Sequence, residues 1–114
     1  MTDLIKPITQ HFAVAPQLGP EDMAEVAAEG YRSVIINRPD FEGGPDQPTA
    51  EAVSKAAREA GLEVEYQPVP GNALTIGDAI RFAEILKTLP GPHLAYCRTG
   101  TRCTNLFAAA KQFM

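Results

Sequence analysis

The sequence predicts an α/β domain: a mostly parallel sheet of four to five strands flanked by helices. Three observations point there. Short apolar runs alternate along the chain with segments of helical periodicity. Gly and Pro punctuate nearly every change from one to the other. A chain of 114 residues has room for one domain and one core, here spanning 1–114.

Each element has its own signal. Phe12-Ala13-Val14-Ala15 is apolar and stops at Pro16, as expected of a strand at a sheet edge. Gly19-Pro20-Glu21-Asp22 puts proline and acids in a first helical turn, and Gly30 closes that helix. Met23, Val26 and Ala27, spaced i, i+3, i+4, form its buried face. Ser33-Val34-Ile35-Ile36 is continuous and β-branched, the pattern of a strand covered on both faces. A loop over 37–47, rich in Pro, Gly and Asp, follows it. Pro48-Thr49-Ala50-Glu51 opens a second helix that Gly61 ends, and 62–66 alternates as a third strand. After a loop over 68–74, Thr75 and Asp78 stand three apart, like a capping box, before a helix with Ile80, Ala83, Ile85 and Leu86 on its apolar face. Pro90-Gly91-Pro92 breaks that helix. His93-Leu94-Ala95-Tyr96 is the fourth strand, followed by a turn and a last helix from about Arg102.

Composition narrows the function classes. A net charge of −4 gives no reason to expect nucleic acid or an anionic membrane as partner. No apolar run approaches the roughly 20 residues that span a bilayer. Met1-Thr2-Asp3-Leu4 carries no basic and apolar signal segment, so the expected location is cytoplasmic, where thiols stay reduced. The two cysteines, Cys97 and Cys103, lie too close to staple a fold, and with His11 and His93 they match no zinc spacing. Neither a metal nor another cofactor is expected.

The chemistry concentrates in Cys97-Arg98-Thr99-Gly100-Thr101-Arg102, between the fourth strand and the last helix. In such sheets ligands bind beyond the carboxyl ends of the strands. A strand-to-helix turn aims backbone N–H groups and the positive helix end at one point. A cysteine there is held as thiolate, the reactive form. Arg102 is unfavourable for the dipole at a helix start and needs an anion to explain it. Cys97 and Arg102 are therefore the expected catalytic pair. Arg98, Thr99, Gly100 and Thr101 complete the anion-binding loop. Arg38, Asp40 and Glu42, on the loop after the second strand, are candidates for acid/base work or substrate contact. Cys103 has two readings, a resolving thiol or a packed side chain. His93 reads as buried and hydrogen-bonded, and His11 as uninvolved. The expected substrate is a small anionic compound of sulfur or phosphorus.

The turn resembles the active-site loops of protein tyrosine phosphatases and of rhodaneses. The stretches 12–18, 36–42, 67–71 and 91–97 together resemble one bacterial family, the phosphatase-like domains of beta-lactamase-like hydrolase proteins. The match spans nearly the whole chain. It implies a fold like that of dual-specificity phosphatases. It also implies, as partners, sulfide-oxidising or persulfide-handling enzymes, to which members are fused or beside which they are encoded. Such domains usually continue past this turn's helix, so a chain stopping at Met114 fits either a minimal form or a trimmed one.

Three departures from the phosphatase pattern decide the expected reaction. Four residues separate Cys97 from Arg102, one fewer than in phosphatases, and this ring size is similar to that of many rhodaneses. The loop over 68–74, where dual-specificity phosphatases carry their aspartic acid, holds Asn72 and no carboxylate. Cys103 stands where phosphatases have Ser or Thr, and Tyr96 where they have His. The expectation is thus transfer of sulfane sulfur, from thiosulfate or a small persulfide, through a Cys97 persulfide. The alternative is hydrolysis of phosphotyrosine or a small phosphoester through a Cys97 phosphocysteine. A non-catalytic module that binds an anion or a partner is the third reading.

Overall fold

The computed structural model describes residues 4–71 and 74–114. Asn72 and the Met1–Asp3 start therefore lie outside the described residues. Five strands form one mixed sheet: β1 (Lys6–Pro7), β2 (Phe12–Ala15), β3 (Ser33–Ile36), β4 (Glu63–Tyr66) and β5 (His93–Tyr96). Four helices flank it: α1 (Met23–Ala28), α2 (Ala50–Glu59), α3 (Ile76–Thr88) and α4 (Thr101–Ala110). The spatial order is β1-β2-β5-β3-β4, with only β1 antiparallel to its neighbour. The register aligns Ala15, Tyr96, Ile36 and Tyr66 across the four parallel strands. Their carboxyl ends share one layer, and the loops that follow them converge on the Cys97 turn.

Period-two alternation divides the core between the two faces. Ala13, Ala15, Leu94 and Tyr96 face α1 and α2, against Met23, Val26, Val53 and Ala57. Phe12, Val14, Ala95 and Cys97 face α3 and α4, against Phe82, Leu86, Leu106 and Phe107. Phe12 stacks on Phe107 at 4.1 Å and meets Phe82 edge-on at 5.9 Å. Each such fully buried side chain contributes roughly 1.5–3 kcal/mol of transfer free energy. This packing fixes β5 under the turn that carries the chemistry.

The helix signals hold. Thr49 caps α2 by accepting from Ala52 N, and Thr75 with Asp78 forms a capping box on α3. The first helix is a 3₁₀ turn, Pro20–Asp22, that runs into α1. Two expectations need correction. β2 is an interior strand, because Lys6 pairs with Val14 and Pro7 with Ala13. A two-residue strand is too short to show any alternation. On α3 the buried stripe is Ala79, Phe82, Ala83 and Leu86, with Ile85 buried beside it as expected, while Ile80 stays 39% exposed. That stripe follows i, i+3, i+4, i+7 from Ala79, which turns Ile80 outward. Among the described residues no helix is long and apolar enough to cross a membrane.

Candidate active site

β5 delivers Cys97 to the turn, and the turn is tied down on both sides. Cys97 N donates to Ala15 O at 3.3 Å, and Gln17 N donates to Arg98 O at 3.3 Å. Gly100 adopts φ +94°, the left-handed region that favours glycine. A side chain would find ordinary contacts there, the nearest atom lying at 3.5 Å, so the backbone angle and not space demands glycine. That angle brings Gly100 N to 3.1 Å from Cys97 Sγ and starts α4 at Thr101. Thr104 Oγ1 closes the first turn by donating to Gly100 O at 2.9 Å.

Behind the turn lies a second thiol. Cys103 is fully buried, and its single S–H is shared between Asn37 Oδ1, 3.3 Å from its Sγ, and the Cys97 sulfur. Asn37 is itself fixed, its Nδ2 donating to Gln67 O at 3.0 Å and its N to Tyr96 O at 3.0 Å. The hydrogen bond from the Cys103 thiol is the main cause that pulls Cys97 down to about 5. Burial opposes it, and the amides of Cys103, Thr99 and Gly100 assist it. Cys97 is therefore a thiolate at neutral pH. Burial, and then the hydrogen bond to Cys97 and its charge, push Cys103 the other way, well above an ordinary thiol. Cys103 is the neutral donor of the pair.

Arg102 is held by two loops at once. Its Nη1 donates to Val69 O and its Nη2 to Glu42 Oε1, both at 3.0 Å. Its Nε is buried and has no partner. A Cβ at Gly71 would come within 3.0 Å of Nη2, so the guanidinium lies flat against that backbone. Glu42 Oε1 also accepts from Arg38 Nε at 3.0 Å, and Arg38 Nη1 reaches Gln17 Oε1 at 3.2 Å. Burial pushes the Glu42 carboxyl up, but hydrogen bonds from Arg102 and Arg38 and their charges bring it below the usual carboxylate value. Arg38, Glu42, Gly43, Gly71, Arg98 and Arg102 line an open cleft of about 620 Å³.

The structure thus brings together Arg98, Arg102, Arg38 and Glu42 around one cleft, with Cys97 buried at the start of the same turn. Thr99 and Thr101 hydrogen-bond to each other at 3.2 Å and line a smaller hollow of about 180 Å³ with Lys6 and Val14, apart from the cleft. Asp40 is not brought to the site. Its Oδ1 accepts from Ala50 N at 2.8 Å and its N donates to Tyr66 OH, so it anchors the start of α2. His93 is buried with Nε2 3.0 Å from Leu89 O, at the end of β5 away from Cys97. Two residues without an expected role prove structural to the site: Asn37, which orders the Cys103 thiol, and Gln17, which orders Arg38. Asn37 follows an apolar strand directly, and a polar residue at that boundary is the signal that could have found it.

Residues 4–113 match the family described as the phosphatase-like domain of beta-lactamase hydrolase-like proteins. The chain belongs to that family. A beta-lactamase hydrolase-like protein of Xylella fastidiosa is 36% identical over 104 residues, which cover 91% of this chain and 24% of that protein. The chain therefore spans about a quarter of the length of the curated relatives it matches. The crystal structure of a candidate phosphatase from Neisseria meningitidis is similar with a TM-score of 0.84 and 33% identity, covering 91% of this chain and 73% of that one. TpbA of P. aeruginosa, in complex with pTyr, shares the fold at TM-score 0.67 and 14% identity, covering 94% and 60%. These matches overturn the expected sulfur transfer: the family and the structural relatives are phosphatase-like. The four-residue spacing and the missing loop acid do not remove the domain from that group.

Proposed function

We propose that this domain is a phosphatase that hydrolyses phosphotyrosine or a small phosphoester through a Cys97 phosphocysteine. The observation that carries this reading is a pairing at one turn: a thiolate with pKa about 5 at its start, and at its end Arg102, whose buried Nε has no partner. A buried cationic donor without a partner is costly unless a ligand completes it, and a phosphoryl oxygen suits its geometry.

In the first step Cys97 Sγ attacks phosphorus in line, and the P–O bond to the leaving group breaks with its electron pair. The turn's amides, the start of α4 and Arg102 stabilise the equatorial oxygens as charge shifts. In the second step water attacks the phosphocysteine, the P–S bond breaks, and the thiolate returns as phosphate and a proton leave. Arg98, exposed at the cleft, adds attraction for the incoming dianion. The pTyr-bound relative and the phosphatase-like family support the substrate class. Release of p-nitrophenol from p-nitrophenyl phosphate by the purified chain, abolished in Cys97→Ser, is the expected result. Equal release by Cys97→Ser would refute the reading.

A further inference from the structure

Resting on that phosphatase reading, we infer that the substrate's leaving group departs as an anion, without receiving a proton from the protein. The phosphoesters that suit the site are then aryl and not alkyl, turned over faster the more acidic the departing phenol, with an acyl phosphate accepted for the same reason.

The inference comes from what the two loops facing the turn do. The loop after β4 has no carboxylate anywhere in 67–75. Its described backbone is already engaged in holding Arg102. Val69 N donates to Asn37 O at 2.9 Å, Val69 O accepts from Arg102, and Gly71 backs the guanidinium. That loop positions the arginine. The loop after β3 holds three acids, Asp40, Glu42 and Asp46, of which only Glu42 lines the cleft. Asp40 Oδ1 is bonded to Ala50 N. Glu42 Oε1 accepts from Arg38 and Arg102 together, an arrangement that needs the carboxylate and leaves it no proton to give. Both histidines sit at the opposite end of the sheet, His93 opening β5 and His11 directly before β2. Cys103, a neutral thiol, is fully buried in the core and does not line the cleft. Among the described residues, no protonated acid lines the cleft.

Without general acid help, the P–O bond breaks readily only if the departing oxygen is a weak base. An acid in place contributes roughly 10²- to 10⁴-fold, most for poor leaving groups. The leaving oxygen takes the electron pair of the P–O bond and leaves unprotonated. Balance needs nothing further until water enters the second step.

The test measures kcat/KM of the whole chain, Cys97→Ser and Glu42→Gln on acetyl phosphate, p-nitrophenyl phosphate, phenyl phosphate and glycerol phosphate. The expected result is a fall of about 10²-fold or more from p-nitrophenyl to phenyl phosphate, acetyl phosphate at or above the former, and no turnover of glycerol phosphate. Glu42→Gln should change the two aryl esters by the same factor. A smaller fall, or a Glu42→Gln loss confined to the phenyl ester, would overturn the inference while leaving the phosphatase reading intact. No turnover dependent on Cys97 on any of the four would overturn both.

Discussion

The two loops that face the Cys97 turn do opposite kinds of work. The loop after β3 supplies charged side chains, Arg38 and Glu42, and its Asp40 ties it to α2. The loop after β4 supplies backbone, the Val69 carbonyl and the Gly71 main chain. Arg102 is where they meet, with one Nη on each loop and Nε left over. The difference teaches how an arginine at a helix start, unfavourable for the dipole, is made stable and aimed. One loop neutralises it, the other backs it with main chain, and its buried Nε is left without a partner in the protein. An acid on the second loop is absent because that loop has a different duty.

Removing the meeting point has the largest expected effect. Arg102→Ala should lower kcat/KM by roughly 10²- to 10³-fold, with the melting temperature lowered only by the loss of the Val69 hydrogen bond and the Glu42 ion pair. A stability loss that matched the activity loss would make the arginine a structural residue instead. The backbone loop is tested next by Gly71→Ala. Its methyl must push on Nη2, so turnover should fall about tenfold by misaligning the guanidinium, with circular dichroism unchanged. Unaltered kinetics would mean that the main-chain backing does not matter.

The charged loop is sharpened by Glu42→Gln. Without the carboxylate, the site becomes more positive and Arg102 less ordered. Inhibition by inorganic phosphate should tighten while kcat falls several-fold, a split that simple unfolding would not produce. The smallest effect belongs to Asp40→Ala. It removes one acceptor from the start of α2, so unfolding should cost about 1 kcal/mol less with turnover nearly unchanged. A selective loss of turnover would return Asp40 to the site.

The thiol pair gives a pH prediction. Cys97 titrates at about 5 in the folded chain, below an ordinary thiol. The thiolate therefore favours the folded state at high pH, and that contribution is lost as pH falls through about 5. Thiolate absorbance in the ultraviolet should appear through the same range. In Cys103→Ala that transition should move upward, because the main cause of the lowering has been removed. No movement would place the cause in the amides alone.

Much of this was legible in the residues. Ser33–Ile36 announced a buried central strand because four small or β-branched residues in a row have nowhere else to go, and His93–Tyr96 was marked as a strand by its place between Pro92 and the Cys97 turn. The Thr75–Asp78 box and the glycine of the Cys97 turn were readable for the same local reason. β1 was not, since two residues carry no period. Nor could spacing show that Asp40 and Glu42, two apart in sequence, serve different ends, since that depends on where α2 starts and where Arg102 reaches. The count between Cys97 and Arg102 suggested sulfur chemistry because it weighed the ring alone. Two facing loops and a second thiol surround the turn, and the family matches place the chain with phosphatase-like domains.

The central claim is that Cys97 carries the phosphoryl group between two steps. Acid quenching of the chain during turnover of p-nitrophenyl phosphate, followed by mass spectrometry of its peptides, measures this directly. The account predicts a phosphoryl adduct on the peptide containing Cys97, absent from Cys97→Ser. Turnover that proceeds with no adduct on Cys97, and persists in Cys97→Ser, would contradict it.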